Sequence, residues 1–159
     1  MYILDIEASG LADESYPIEI AWCTLDGSES YSVLINPESA GDWDYWDDFV
    51  ETAFHGISRQ QCCEDGQNVV VVARQVEKLL LEQPVFSDAP YQDQRWLKRL
   101  FDAVGKPCPA VLMPIDQLVR PQRQAELNLQ LSQLFRPHRA LDDCLELAKT
   151  IRQIRNEDE

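Results

Sequence analysis

Asp5 and Glu7 are two positions apart at the end of a short apolar run that opens the chain. In a β-strand alternate side chains share a face, so both carboxylates project together, away from Leu4 and Ile6. Two carboxylates side by side in a half-buried place repel each other, and each resists ionising. A divalent cation between them removes that conflict. The pair therefore predicts a metal site, and the alternative is an edge strand with two solvated acids.

Two later segments supply four more acids and a histidine near predicted helix starts. Asp88 and Asp93 follow a short apolar run, and His138 precedes Asp142 and Asp143 at the start of the last predicted helix. A histidine on the entry loop and a carboxylate in the first turns of a helix can be aimed at one point. The alternative is that Asp142 and Asp143 only complement the helix dipole.

This set of side chains suits hard cations, because carboxylate oxygens select Mg²⁺ or Mn²⁺ over zinc. Two such ions about 4 Å apart stabilise the attacking and leaving oxygens of a phosphodiester displacement. A neutral imidazole can then take a proton from the attacking water. The five cysteines show no CxxC spacing, so we expect reduced thiols rather than a zinc site.

Charge is distributed unevenly along the 159 residues, whose net charge is −14. Thirteen Asp or Glu and no Lys or Arg precede Arg59. Long polyanions bind proteins mainly by releasing counterions at Lys and Arg, so we expect the first third of the chain to repel a long nucleic acid. A phosphate-bearing ligand has to be short, or be held through metal ions, or approach from the later part of the chain.

Length and an apolar content of 45% predict one globular domain over residues 1–155, followed by a frayed acidic tail at 156–159. No apolar run approaches the roughly 20 residues that span a bilayer, and the first residues lack a secretory pattern. We therefore expect a cytoplasmic chain with no membrane partner. The sequence does not indicate any protein partner.

Hydrophobic periodicity and turn signals predict the elements that position the acids. Strands are predicted at 2–7, 17–25, 31–35, 84–87 and 110–115. Helices are predicted at 68–83, at 91–103, at 116–135 with an interruption near Pro121, and from 141 onward. The valine run at 69–72 also suits a strand, which is the alternative there. The acidic, tryptophan-containing segment 42–48 is predicted to be a lid or an irregular helix packed by its tryptophans, or else an interaction site.

The order of these elements predicts an α/β fold with a mixed five-stranded sheet of order 3-2-1-4-5, in which strand 2 is antiparallel. Ligands of such sheets lie outside the carboxyl ends of the parallel strands. Asp5 and Glu7 end strand 1, and Asp88 and Asp93 follow strand 4. All four acids are therefore expected at one rim of the sheet.

Three motifs resemble, in order, those of the DEDD-type 3′→5′ exonucleases, in the branch whose third motif contains a histidine. They are ILDIEASGL at 3–11, SDAPYQD at 87–93 and HRALDDC at 138–144. Two further segments, PIEI at 17–20 and FHGI at 54–57, resemble the proofreading exonucleases of replicative DNA polymerases. The resemblance spans essentially the whole chain and implies a ribonuclease H-like fold.

The resemblance also implies roles for individual residues. The implied ligands of two Mg²⁺ or Mn²⁺ ions are Asp5 (bridging), Glu7, Asp93 and Asp143, with His138 as the general base. The terminal nucleotide is expected against Ser9, Gly10 and Leu11, and His55 is expected to be structural or to line the substrate. The second motif lacks the usual Asn-Ala-x-Phe-Asp form, so Asp88 is an alternative to Asp93 as a metal ligand. In the third motif, Asp142 is an alternative to Asp143.

The function that this resemblance implies is metal-dependent 3′→5′ exonuclease activity that releases nucleoside 5′-monophosphates. The charge distribution favours a single-stranded 3′ end or a short oligonucleotide, approaching from the side of Arg95, Arg99, Arg136 and Arg139. Two alternatives stay open. One is a non-catalytic protein-binding domain that uses segment 42–48, and the other is a nucleotidase built on the same metal pair.

Overall fold

A mixed sheet of five strands forms the centre of this computed structural model, which describes residues 1–156. The strands are β1 (Tyr2–Ala8), β2 (Pro17–Thr24), β3 (Ser30–Leu34), β4 (Val85–Ser87) and β5 (Met113–Pro114). They lie in the order β3-β2-β1-β4-β5. β2 pairs antiparallel with β1 and with β3, whereas β4 pairs parallel with β1 and with β5. The predicted fold class and strand order are confirmed.

Six α-helices surround the sheet in the described residues. They are α1 (Asp48–Val50), α2 (Arg59–Asp65), α3 (Val69–Glu82), α4 (Pro90–Ala103), α5 (Gln124–Gln133) and α6 (Ala140–Asn156). A π-helical turn (Glu51–His55) continues α1. Helix α6 runs through Asn156, the last residue that the structure describes, and residues 157–159 of the predicted tail lie outside the described part of the chain. Among residues 1–156, no helix has the length and hydropathy that a bilayer crossing requires.

The two faces of β1 face different parts of the core. Leu4 and Ile6 belong to the apolar cluster that contains the inner residues of α3 and α4. Ile3 belongs to the second cluster, which is built largely from α5 and α6. Because strand residues alternate, Asp5 and Glu7 share the face of Ile3 and point towards α6. The predicted separation of the two carboxylates from Leu4 and Ile6 is confirmed.

The valine run lies in a helix, so the strand alternative is wrong. Asn68 caps α3, and its side chain accepts a hydrogen bond from the backbone N–H of Val70 at 2.9 Å. One stripe of α3 is buried against the sheet, and it comprises Val69, Val72, Ala73, Val76, Leu79 and Leu80. This helical burial outweighs the strand preference of β-branched side chains.

Strand β5 is shorter than the predicted strand 110–115. The side-chain amide of Gln94 donates to the carbonyl of Ala110 at 3.1 Å and accepts from the N–H of Leu112 at 2.8 Å. Gln94 thus satisfies backbone groups that a longer strand would pair with β4. Only Met113 and Pro114 remain in the sheet.

The predicted helix 116–135 is divided into three pieces. Two 3₁₀ turns (Ile115–Leu118 and Pro121–Arg123) precede α5. Arg120 is extended, with φ −61° and ψ 147°, as expected for a residue before a proline. The predicted interruption near Pro121 is confirmed, but it extends over the whole first half of the segment.

Segment 42–48 covers Gly10 without forming an irregular helix. Trp43 is buried and stacks on Tyr16, with ring centroids 5.1 Å apart. The backbone N–H of Asp47 donates to the carbonyl of Ser9 at 2.9 Å, and the Asp47 side chain caps α1. Packing by a tryptophan is confirmed, whereas residues up to Asp47 have no regular secondary structure.

Candidate metal centre

Five acids and a histidine from separate parts of the chain meet at the carboxyl ends of β1 and β4. One group consists of Glu7, His138 and Asp143, and its ligand atoms lie within 4.8 Å of one another. The other group consists of Asp5, Asp88 and Asp93, within the same limit. The fold therefore brings all of the acids expected at this rim together, and adds Asp143 from α6.

The β1 pair is largely removed from water. Burial raises the pKa of Asp5 well above its usual range, and the charges of Asp93 and Glu7 raise it further. Burial also raises the pKa of Glu7 to about 9, and the negative charge of Asp143 is the next largest cause of the increase. These carboxyls resist ionising without a cation, as the sequence predicts for such a pair.

Asp93 lies in the first turn of α4 and is held there by Ser87, the last residue of β4. The Ser87 hydroxyl donates to Asp93 Oδ2 and accepts from the N–H of Ala89 at 3.0 Å. Burial raises the pKa of Asp93 to about 8, although the hydrogen bond from Ser87 lowers it. Ser87 thus joins the end of the strand to the start of the helix and fixes Asp93 between them.

Asp143 lies in the first turn of α6, and Glu19 on β2 anchors that turn. The Glu19 carboxylate accepts from Arg139 Nη2 at 2.7 Å and from the N–H of Ala140 at 2.7 Å. An acid at a helix N-terminus satisfies an open N–H and complements the helix dipole. Burial raises the pKa of Asp143, and the charge of Arg136 opposes that effect.

His138 connects the loop after α5 to α6 in a left-handed conformation, with φ 55°. Its ring meets the ring of Phe54 edge-on, with centroids 5.0 Å apart. Phe54 lies in the π-helical turn, so this contact joins two segments that flank the acids. The imidazole reaches the group that contains Glu7 and Asp143.

The structure also places an arginine among the acids. Arg136 Nη1 donates to Asp88 Oδ2 at 2.8 Å, and Arg136 Nε lies 3.6 Å from Asp143 Oδ1. Burial lowers the pKa of Arg136, but the hydrogen bond to Asp88 and the neighbouring negative charges outweigh this, so the pKa is raised. The guanidinium therefore remains charged between the two groups.

Residues 9–11, expected against a terminal nucleotide, differ in their exposure. Ser9 is fully buried, and its hydroxyl accepts from the N–H of Tyr16 at 3.1 Å. Gly10 is covered by segment 42–48, because an added Cβ would lie 2.8 Å from a ring carbon of Tyr45. Leu11 is 68% exposed. Of these three residues, Leu11 presents its side chain to solvent.

Both ring nitrogens of His55 are engaged with the backbone. Nε2 lies 3.1 Å from the carbonyl of Ala8, and Nδ1 accepts from the N–H of Ile57 at 3.0 Å. Burial lowers the pKa of this imidazole, which favours the neutral form. These contacts favour the structural role of His55 over the substrate-lining role.

Burial distinguishes the two alternative ligands at the start of α6, and two of the arginines expected on the substrate side are already paired with acids. Asp142 is exposed and belongs to neither group of ligands, whereas Asp143 is buried within one. Arg139 is engaged by Glu19, and Arg95 pairs with Asp13 at 3.2 Å on the surface.

The sequence pattern did not reveal the positioning roles of Glu19, Ser87 and Phe54 or the central place of Arg136. Each of these residues lies within or beside one of the motifs. An acid within the apolar run of strand 17–25 is the signal that could have pointed to Glu19. The other contacts depend on which helices pack against β1.

The donor set fits a pair of hard divalent cations. Asp5 Oδ2 and Asp143 Oδ1 are buried without a hydrogen-bond partner. Buried oxygens without donors are rare, and a cation satisfies them as well as a donor does. With carboxylates supplying nearly all the ligand atoms, Mg²⁺ or Mn²⁺ suits the site better than zinc.

Solved structures of exonuclease I share this fold. The E. coli enzyme in complex with a 5cy-dA13 oligonucleotide is 14% identical, with a TM-score of 0.57 over 69% of this chain and 25% of that chain. The metal-free form of an E. coli exonuclease I complex with single-stranded DNA has a TM-score of 0.59 at 13% identity, over 76% and 30% of the two chains. The zinc ion bound form has a TM-score of 0.58 at 15% identity, over 74% and 28%.

At these identities the comparison shows a common fold, and it confirms the predicted ribonuclease H-like architecture. The chain spans 30% or less of the length of the three exonuclease I chains. No protein-family model matches the sequence, and no curated protein matches it significantly.

Proposed function

We propose that this chain is a metal-dependent 3′→5′ exonuclease of the histidine-containing DEDD branch. The observation that carries the proposal is the meeting of Asp5, Glu7, Asp93 and Asp143, with His138, at one rim of the sheet. The fold shared with exonuclease I supports it, because the solved complexes of that enzyme contain single-stranded oligonucleotides. The ordered set of three motifs supports the direction of cleavage and the branch.

Asp5, Glu7, Asp93 and Asp143 would hold two Mg²⁺ or Mn²⁺ ions. When bound, such ions polarise the phosphodiester and stabilise the attacking and leaving oxygens. The chain itself contributes rigid placement, since Ser87 fixes Asp93 and Glu19 fixes the start of α6. Burial is the main cause of the raised pKa values of Glu7 and Asp93, and a bound cation would favour the ionised form of both acids.

His138 is the proposed general base. Its ring stands beside Glu7 and Asp143, where a water attacking the phosphodiester could pass its proton to the imidazole. The edge contact with Phe54 and the left-handed backbone orient the ring before substrate arrives. Attack of water on the terminal phosphodiester, with the 3′ oxygen of the preceding nucleotide as the leaving group, would release a nucleoside 5′-monophosphate.

A groove along α4 is the proposed route of the substrate strand. It encloses about 520 Å³ beside Tyr91, Arg95 and Lys98 on the outer face of α4, whereas Asp93 lies on the buried face of the same helix. An exposed aromatic ring next to two cations suits a base and its phosphates, which would replace Asp13 and Asp102 as the partners of Arg95 and Lys98. Such a short cationic track in an acidic chain favours a single-stranded end or a short oligonucleotide over a long duplex.

The test is product analysis with a 5′-labelled single strand and Mn²⁺. We expect successive shortening from the 3′ end with release of nucleoside 5′-monophosphate, faster than on a matched duplex. Asp143→Asn should be inactive, whereas the matched variant Asp142→Asn should retain activity because Asp142 is exposed outside the site.

Three results would contradict the proposal in different ways. Free phosphate as the sole product would indicate a nucleotidase on the same site. Internal cleavage would indicate an endonuclease. A calorimetric titration in which the parent protein binds no Mn²⁺ would favour the non-catalytic binding domain.

A further inference from the structure

Arg136 lies between the two groups of acids rather than at their edge. Its guanidinium contacts Asp88 of one group at 2.8 Å and approaches Asp143 of the other at 3.6 Å. The arginine side chain is 22% exposed, and the side chain of Asp88 is 18% exposed. A half-buried arginine with acidic neighbours from two segments is part of the site and not a surface pair.

Charge balance indicates why the arginine is there. The site contains five carboxylates, namely Asp5, Glu7, Asp88, Asp93 and Asp143. Two divalent ions would offset four of these negative charges, and one guanidinium would offset the fifth. Asp88, the acid that bonds Arg136, is then its counter-ion, and the other four acids are free to bind the ions.

The hydrogen-bonding capacity of Arg136 is only partly used. Nη1 is bonded to Asp88, but the buried Nε has no hydrogen-bond partner, because Asp143 lies beyond hydrogen-bond distance. A planar guanidinium binds the oxygens of a phosphate through its N–H groups. Because Nε is buried, the group of Arg136 that can reach a phosphate is Nη2, which has no hydrogen-bond partner among the described residues. The loop that carries Arg136 also carries His138 two residues later.

We propose that Arg136 binds the phosphate of the terminal nucleotide, and that Asp88 holds Arg136 in place instead of coordinating an ion. This inference rests on the proposed function, because it assumes that the phosphate lies beside ions bound by the other acids. It separates the two aspartates of the second motif by role. Asp93 is a ligand, whereas Asp88 is a positioning residue.

The test uses thymidine 5′-monophosphate, a product analogue that the protein cannot cleave further by this reaction. Its affinity is measured by calorimetry with the full chain in saturating Mg²⁺. We expect Arg136→Gln to weaken binding about 10-fold to 100-fold, since a charge-assisted hydrogen bond is lost. Arg136→Lys should recover part of the loss because it keeps the charge. Arg74→Gln, at an exposed position on α3, is the matched control and should bind as the parent does.

A separate titration with Mn²⁺ alone distinguishes loss of phosphate binding from loss of ions. Arg136→Gln should keep Mn²⁺ affinity or increase it, because one competing cation has been removed. Asp88→Asn should also keep both ions but should weaken monophosphate binding, because a neutral amide holds Arg136 less firmly than a carboxylate does. Circular dichroism checks that each variant is folded. If Arg136→Gln does not fold, the monophosphate affinity of Arg136→Lys tests the role of Arg136 instead.

The outcomes separate this inference from the proposed function. Monophosphate affinity unchanged in both Arg136 variants overturns the role of Arg136. Loss of an ion in Asp88→Asn overturns the assignment of Asp88, because that acid would then be a ligand. A parent protein that binds no Mn²⁺ contradicts the proposed function itself, and the inference with it.

Discussion

The ring of Phe54 stands at 85° to the imidazole of His138, with centroids 5.0 Å apart. Phe54 is 40% exposed, so it forms part of the wall of the site as well as the support of the ring. His138 also has a positive φ of 55°, which few non-glycine residues adopt. A conformation of this kind persists only when neighbouring contacts enforce it. Phe54 is one such contact.

Phe54→Ala should therefore impair catalysis without removing the ions. We expect kcat to fall about tenfold, which is a typical cost of misplacing a general base that contributes about 10²-fold to 10⁴-fold. Single-turnover assays measure the rate, and calorimetry with Mn²⁺ measures the ions. Phe135→Ala, which removes another exposed phenylalanine, should behave as the parent. Equal rates for the two variants would mean that Phe54 does not orient the base.

Glu19→Ala should destabilise the protein by about 2 kcal/mol, the scale for leaving a buried N–H without its acceptor, because the exposed Arg139 can be rehydrated. The variant leaves the guanidinium of Arg139 and the N–H of Ala140 without their acceptor at the start of α6. Urea denaturation measures the free energy of unfolding. Glu19→Gln should lose less, because its amide oxygen can still accept from Ala140. A loss below about 1 kcal/mol for Glu19→Ala would show that α6 does not depend on this contact.

Stability of the ion-free protein should fall as the pH rises from about 6 towards 9. Burial raises the pKa of Asp93 to about 8 and that of Glu7 to about 9, whereas carboxyls of an unfolded chain titrate near 4. At pH values between the pKa of the unfolded carboxyls and the raised pKa values of Asp93 and Glu7, the folded protein binds more protons than the unfolded chain. Rising pH therefore favours unfolding.

The measurement is the melting temperature across this pH range in chelator and in excess Mg²⁺. The decline should be smaller with Mg²⁺, because the ions bind the deprotonated acids. Glu7→Gln removes one of the two titrations and should flatten the profile in chelator. A melting temperature in chelator that rises over the same range would show that proton uptake by these buried acids does not control stability.

Tyr91→Ala should weaken binding of a single strand while leaving a dinucleotide nearly unaffected. Tyr91 is 81% exposed beside Arg95 and Lys98, and stacking of one base on an aromatic ring contributes about 1–3 kcal/mol. We expect KM for a strand of about ten nucleotides to rise about tenfold with kcat unchanged. Leu81→Ala, an exposed apolar residue of α3, is the control. Equal effects on both substrates would show that the nucleic-acid strand does not follow the groove beside Tyr91.

The sheet and the first acids were predictable because they depend on local pattern. The alternation of residues 2–7 predicted that Asp5 and Glu7 lie on the opposite face from Leu4 and Ile6. The helical spacing of apolar residues after Asn68 predicted helix α3 despite its valines. The predicted strand 110–115 was wrong in extent, because the side chain of Gln94 replaced the missing backbone partner. Nothing in the local sequence signals that exchange.

The contents of the site were only partly predictable. The sequence placed four acids at one rim but left Asp142 and Asp143 as alternatives, since one residue is a rotation of about 100° on a helix. Packing of α6 on β1 and β2 decided that Asp143 faces the acids. The sequence also did not predict that segment 42–48 would cover Gly10, because that contact joins positions far apart in the chain.

Local pattern was enough to establish the α/β order, the shared face of the first two acids and the type of ion that they suit, because periodicity and ligand chemistry are properties of neighbouring residues. The position of Arg136 between two groups of acids, and the hold of Glu19 on a helix 120 residues later, emerged only from the folded chain. Contacts of this range are set by how helices pack on the sheet, where burial and charge act between residues that no local pattern connects.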